Sequence, residues 1–159
     1  MPRRSSAVAS RGTLVHELIE KHYTTNVLFD YEELVDATNV SADLSADAEQ
    51  LRTAFLRSRF ADMTPAAVEQ NFILGIGGTP VSGYIDAVFH VDGRYLVVDW
   101  KTGTSAHVDP MQLAIYRLAW ARIKNIDWRD VDTCFVMLAE DCEITPDTDA
   151  LVEELIALG

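Results

Sequence analysis

Apolar positions recur along this chain first with a helical period, then with a strand period, and then with the two in alternation. Leu14, Val15, Leu18 and Ile19 fall three and four apart and predict a first helix from Gly12 to about Asn26, with Thr13 as its N-cap. A second helical stretch is expected at Tyr31–Thr38, and Asn39–Ser45 is polar enough to read as a loop. Ala46–Phe60 then predicts a helix with Leu51, Phe55 and Leu56 inward and Arg52, Arg57 and Arg59 outward, broken by Met63-Thr64-Pro65. Strand patterns follow at Val68–Leu74, Val81–His90 and Arg94–Trp100, the first two joined by a turn at Gly75–Pro80. The last of these is apolar on both faces, which marks a central, buried strand. Asp109-Pro110 opens a further helix, with Asp as cap and Pro at the first position, that runs to about Lys124 and is apolar at Leu113, Ile115, Leu118 and Ala119. Thr133–Leu138 is a fourth strand and Asp147–Leu158 a closing helix. The order is that of an α/β domain.

The turn between the second and third strands fixes more than the architecture. Asp92-Gly93 is a strong two-residue hairpin turn, because glycine tolerates positive φ and aspartate nearly does. Folding the chain there sets Val88 against Val97, Phe89 against Leu96 and Ala87 against Val98. The same register sets Asp86 against Asp99. Two carboxylates facing each other across a ladder, with Cβ atoms about 5 Å apart, repel. Asp99 also sits in an apolar strand, where an unpaired charge is costly. A hard divalent cation between the two is the simplest remedy, since carboxylate oxygens are its preferred ligands. Lys101, two residues past Asp99, projects from the same face.

Length and charge narrow the setting. At 159 residues the chain is long enough for one domain with a real core, read here as residues 12–159 behind a basic leader or cut end at 1–11. No apolar run approaches the roughly 20 residues that span a membrane, and no signal-peptide core follows the basic start. Cys134 and Cys142 form neither a CxxC pair nor a disulfide framework, which points to a reducing cytoplasm, and two thiols are too few for an iron–sulfur cluster. The net charge of −12 is unlike that of a protein that gathers DNA on its own surface. Either the acid is spread over solvated faces, or other parts of a larger machine supply the phosphate-binding surface. Gly75–Thr79 lacks the lysine of a phosphate-binding loop, so no nucleotide-hydrolysing motor is visible.

Four short patterns then fall in order: Gly12-Thr-Leu-Val-His16, Gly83-Tyr-Ile-Asp86, Asp99-Trp-Lys-Thr-Gly103 and Gln112-Leu-Ala-Ile-Tyr116. Together they resemble the PD-(D/E)XK nuclease superfamily, and within it the RecB-type nuclease domain of bacterial helicase–nucleases such as RecBCD, AddAB and AdnAB. The resemblance covers the chain from Arg11 to about Leu138. It implies a restriction-endonuclease-like α/β core, with a mixed central sheet of about four strands flanked by helices, and hydrolysis of DNA phosphodiester bonds. It implies that His16, Asp86, Asp99 and the main-chain carbonyl of Trp100 bind Mg²⁺ or Mn²⁺. Lys101 is then the residue that holds the attacking water or steadies the phosphate charge, and Gln112 and Tyr116 shape the site and touch the DNA. Asp86, Asp99 and Lys101 are thus the expected catalytic residues. The implied substrate is single-stranded DNA, fed in by a helicase motor on the same native chain or on a partner subunit. Some relatives carry four cysteines for an iron–sulfur cluster, which this chain cannot.

Chemistry read from the residues agrees: Lys is a natural point charge for phosphate, and imidazole tilts an oxygen-rich site toward Mn²⁺. Glu69, on the first strand, and Glu20, one turn past His16, are lesser candidates for a further ligand. His22, His90 and His107 read as structural or surface residues, Trp100, Trp120 and Trp128 as core, and Gly75–Thr79 as a turn. Arg52, Arg57 and Arg59 read as a solvated face. Two rival functions remain: a non-catalytic relative kept as a DNA-binding or docking module, and a standalone repair or CRISPR-associated nuclease.

Overall fold

The computed structural model of the chain describes residues 11–24 and 42–159. The predicted stretch at Tyr31–Thr38 and the basic leader up to residue 10 lie outside the described residues. Helices α1 (Arg11–Thr24) and α2 (Ala42–Arg57) precede strands β1 (Ala67–Ile76), β2 (Thr79–Val91) and β3 (Arg94–Lys101). Helix α3 (Pro110–Lys124), strands β4 (Val131–Met137) and β5 (Cys142–Ile144) and helix α4 (Asp149–Ala157) complete the chain. The strands form one sheet in the order β1-β2-β3-β4-β5, antiparallel except for the parallel β3–β4 pair that α3 connects. β3 is therefore central, as its apolar run demands. Among the described residues no helix is long and apolar enough to cross a membrane.

Alternation on β3 feeds a core on each face of the sheet. Leu96, Val98 and Trp100 pack with Leu14, Val15, Leu18 and Ile19 of α1 and Leu51 and Phe55 of α2. Val97 packs on the other side with Ala114, Leu118 and Ala121 of α3 and Val152 and Leu155 of α4. Trp100, Trp120 and Trp128 are all buried. The α1 side holds edge-to-face ring pairs, with Trp100 5.4 Å from Phe55 and 5.7 Å from Phe60.

Several expectations need correction. Among the described residues the sheet has five strands, where about four were expected; β5 is three residues long with two of them exposed, so it carries no alternation to read. Thr13 is not a cap, because α1 is already under way at Arg11. α2 starts at Ala42 rather than Ala46, since Ala42 and Leu44 are strong helix formers within the otherwise polar stretch Asn39–Ser45. It also ends at Arg57, which leaves Arg59 in the following turn. Leu56 points outward, 42% exposed, the helical phase having turned it away from Leu51 and Phe55. The β1–β2 turn narrows to Gly77-Gly78, with φ of 58° and 77° that glycine adopts without strain. The three arginines are paired rather than simply solvated: Arg52 with Glu49, Arg57 with Asp141 and Arg59 with Glu143.

One irregularity positions everything that follows. β1 pairs with β2 along nearly its whole length, but β2 pairs with β3 only from Ala87 to Val91. Beyond that the hairpin of β1 and β2 leaves the sheet as a two-stranded arm. Ile85 and Val88 join the same core cluster, as do Phe72 and Ala67, although both pairs are separated by an odd number of residues. Strict alternation cannot do this. The faces exchange at Glu69, which has a φ of +48° and lies between the rungs Val68–Ala87 and Gln70–Ile85, level with Asp86.

Candidate metal and nuclease site

The hairpin turn forms as expected, with Asp92 at φ 52° and Gly93 at φ 79°, and Ala87–Val98, Val88–Val97 and Phe89–Leu96 pair in the expected register. The ladder stops one step before Asp86 and Asp99. There the Asp86 carboxylate, not the backbone, reaches across and accepts the Trp100 main-chain N–H at 2.9 Å. Both aspartates are 3% exposed. Burial, the neighbouring Asp86 charge and a hydrogen bond between the two carboxyls push Asp99 well above the usual carboxylate range, with Lys101 opposing them.

Trp100 contributes a second group. The Lys101 carbonyl accepts the Leu138 N–H at 3.0 Å, on the β4 side. Successive carbonyls in a strand point to opposite sides, so that of Trp100 faces β2 and Asp86.

His16 arrives from α1. Its Nδ1 donates to the Gly12 carbonyl one turn back at 2.6 Å, and its Nε2 lies 3.2 Å from Asp86 Oδ2. A carbonyl cannot donate, so Nδ1 carries the proton. In the neutral ring Nε2 is then a lone pair aimed at a carboxylate. That contact is favourable only with a second proton or with a cation between the two. Metal-ligating histidines usually donate their other ring N–H to a carbonyl or carboxylate in just this way. Gly12 has a further reason to be glycine: a Cβ there would lie 3.2 Å from Thr102 Oγ1, so α1 docks directly on the residue after Lys101.

Lys101 completes the group. Its Nζ is 2.8 Å from Asp99 Oδ2 and donates to Gln112 Oε1 at 2.7 Å, while Gln112 Nε2 donates to Tyr116 Oη at 3.0 Å. The Tyr116 ring meets Phe72 edge-on, with centroids 5.6 Å apart. Phe72 in turn lies over Gly83, where a Cβ would come within 3.2 Å of the ring. A continuous path thus runs from the glycine of Gly83-Tyr-Ile-Asp86 to the lysine. Phe72 and the Gly12 carbonyl were not singled out in the sequence, although a glycine four residues before His16 was the signal for the second.

Of the lesser candidates, Glu69 stands level with Asp86 across β1 and β2, in a row with Asp86 and Asp99. Glu20 is half-buried on the same flank of α1, and among the described residues none of the hydrogen bonds that build the site runs to its carboxylate. His22 is structural, its Nε2 2.7 Å from the Ala61 carbonyl, and His90 stacks on Tyr95. His107 is exposed.

His16, Asp86, Asp99 and the Trp100 carbonyl make a donor set suited to Mg²⁺ or Mn²⁺. The lone pair of His16 facing Asp86, and the strained ionisation of Asp99, are both relieved by a positive ion. Among the described residues no three His, Cys, Asp or Glu side chains already converge as a closed cage. The donors instead turn to protein partners, His16 to Asp86, Asp86 to the Trp100 N–H and Asp99 to Lys101.

The sequence matches the family model described as "PD-(D/E)XK nuclease superfamily" over residues 2–148. It is 44% identical over 66 residues to the Gene 69 protein of Mycobacterium phage D29, and 41% identical over 61 residues to that of Mycobacterium phage L5. These stretches cover 42% and 38% of this chain but only 24% and 21% of the phage proteins. A crystal structure from Eubacterium rectale, described as a "Putative exonuclease", superposes with a TM-score of 0.62 at 12% identity, covering 99% of this chain and 65% of that one. At that identity the likeness is one of fold.

Proposed function

The chain belongs to the PD-(D/E)XK nuclease superfamily, and from that premise we propose that it hydrolyses DNA phosphodiester bonds with a divalent cation held by His16, Asp86, Asp99 and the Trp100 carbonyl. The observation that carries this reading is the 3.2 Å approach of His16 Nε2 to Asp86 Oδ2, with the other imidazole nitrogen already committed to Gly12. When bound, the ion supplies Lewis acidity to water and to the phosphoryl oxygen. The protein's own residues do the rest. Lys101 holds the attacking water or steadies the charge that grows on the phosphate. Gln112 and Tyr116 fix the lysine's direction, and burial of both aspartates keeps bulk water from screening the site.

The finer reading is a RecB-type nuclease module that acts on single-stranded DNA in double-strand-break repair and recombination. A helicase motor, on the same native chain or a partner subunit, would deliver the strand. The order of the four motifs supports this, as does a net charge of −12, which leaves the chain a poor collector of DNA.

That same charge and the inward-turned donors favour one alternative, a non-catalytic docking module. Calorimetry with Mn²⁺ separates the two, since a nuclease site binds at millimolar metal or below and a docking module does not. Labelled DNA incubated with the protein should be cut in Mg²⁺ or Mn²⁺, spared in EDTA, and spared by Asp99→Asn. Equal cleavage by that variant would overturn the assignment.

A further inference from the structure

We propose that the outward face of the β1–β2 arm, centred on Tyr84 and Ile73, is a base-stacking surface for the strand of DNA leading to the site. The inference rests on the nuclease reading above and adds to it where the bases lie.

From Gln70 to Ile85 the chain carries no charged residue, although 24% of its residues are charged and its net charge is −12. The run begins after Glu69 and ends at Asp86, so it coincides with the arm that leaves the sheet. One face of the arm is spent on the core through Phe72, Leu74 and Ile85. Alternation puts Asn71, Ile73 and Gly75 on the other face, against Tyr84, Ser82 and Pro80. Ile73 is 79% exposed, the most exposed of the large apolar residues described, and Tyr84 is half-buried.

β1 is an edge strand, and edge strands are ordinarily protected by charged side chains. This one has none along the arm, which marks it as a surface kept for a partner. The partner's chemistry follows from charge and place. A polyanion approaching an acidic protein is repelled except where carboxylates are missing, and the arm is such a path. Tyr84 precedes Asp86 by two residues on β2, so the two backbone positions lie about 7 Å apart along the strand. A phosphodiester at Asp86 therefore has its neighbouring base within reach of Tyr84, and the next within reach of Ile73. Flat aromatic and apolar side chains accept any base face, provided that face is not hidden in a duplex.

The test is fluorescence anisotropy of a labelled oligodeoxythymidylate in EDTA, where binding is read without turnover. Tyr84→Ala should weaken single-strand binding roughly tenfold, as loss of one stacked base does. Tyr84→Phe should bind like the parent protein, and the exposed Ile73→Ser should weaken binding in the same direction as Tyr84→Ala. Duplex affinity should be the same for all four proteins. With metal, Tyr84→Ala should raise KM for single strands at unchanged kcat, and hydrolysis of methyl p-nitrophenyl phosphate, which has no base, should not change. Single-strand affinity unmoved by Tyr84→Ala and Ile73→Ser overturns the stacking surface, even if the protein cuts DNA. Equal losses on single strand and duplex overturn it too. So does a dimer that these variants dissolve in sedimentation, which would give the face to a second copy. Failure of the nuclease reading looks different: no cleavage of either substrate in metal, with the anisotropy pattern intact.

Discussion

The Asp86 carboxylate accepts the Trp100 main-chain N–H at 2.9 Å, one step beyond the last rung at which β2 and β3 pair. It does the work of the missing backbone carbonyl, and so lets the sheet open without stranding a buried donor. Asp86 consequently has two duties, one structural and one toward the cation, and substitution can divide them.

Asp86→Ala leaves the Trp100 N–H buried with no acceptor and should destabilise the fold by about 1–3 kcal/mol. Asp86→Asn keeps an acceptor oxygen and should unfold close to the parent protein, yet lose most of its Mn²⁺ affinity with the charge. Urea unfolding beside Mn²⁺ calorimetry checks both. Equal destabilisation by the two variants would show that the hydrogen bond to Trp100 carries no weight.

Asp99 has one dominant duty, and without metal it is a liability. Burial first, and then Asp86, raise its folded pKa above that of the unfolded chain. A raised carboxyl contributes stability that is fully present below the unfolded pKa, near 4, and lost as pH rises through the folded value. The metal-free protein should therefore lose stability from this group as pH rises. Asp99→Asn should remove that dependence and raise the neutral-pH Tm by about 3 °C, equivalent to about 1 kcal/mol at this chain length. Mn²⁺ should raise the Tm of the parent protein and leave that of Asp99→Asn unmoved. Thermal scans between pH 4 and 8, with and without metal, give the comparison.

Much of this was legible in the sequence, because the informative features are local. Asp92-Gly93 sets its own turn and hence the register of Ala87 on Val98, and Asp109-Pro110 starts α3 with the Asp109 side chain accepting the Met111 N–H at 3.0 Å. What was not legible depends on residues far apart in the chain. No period announces that β2 leaves β3 at Asp86, and β5 is too short to show one. Arg117 falls on α3 among apolar neighbours with no pattern that marks a role for it, yet it is 8% exposed.

That arginine is a clamp. Its Nε donates to the carbonyls of Val131 at 2.6 Å and Trp128 at 3.1 Å, and its Nη1 donates to Asp149 Oδ1 at 2.6 Å and Thr148 Oγ1 at 3.1 Å. The Val131 and Trp128 carbonyls and the start of α4 are thus tied together through one side chain. Arg117→Met, which keeps the bulk but no donor, should cost about 2–4 kcal/mol in urea unfolding. Arg117→Lys should recover little of that, because an ammonium cannot span the carbonyls and Asp149 together.

Gly83 offers a test of whether the arm and the site communicate. Its Cα lies under the Phe72 ring, whose edge contact holds Tyr116, which accepts a hydrogen bond from Gln112, which in turn accepts one from Lys101. A methyl at 83 would stand 3.2 Å from that ring, tight enough that the ring must give way toward Tyr116. Gly83→Ala should leave the protein folded, at a cost of about 1–3 kcal/mol for the added carbon. If Lys101 is displaced with the chain of contacts, kcat should fall roughly ten- to a hundredfold while single-strand affinity changes little. Phe72→Leu removes the obstructed ring edge, so the double variant should regain activity that Gly83→Ala alone has lost. A double-mutant cycle on kcat measures that recovery as a coupling energy, and a coupling of zero would disconnect the glycine from the lysine.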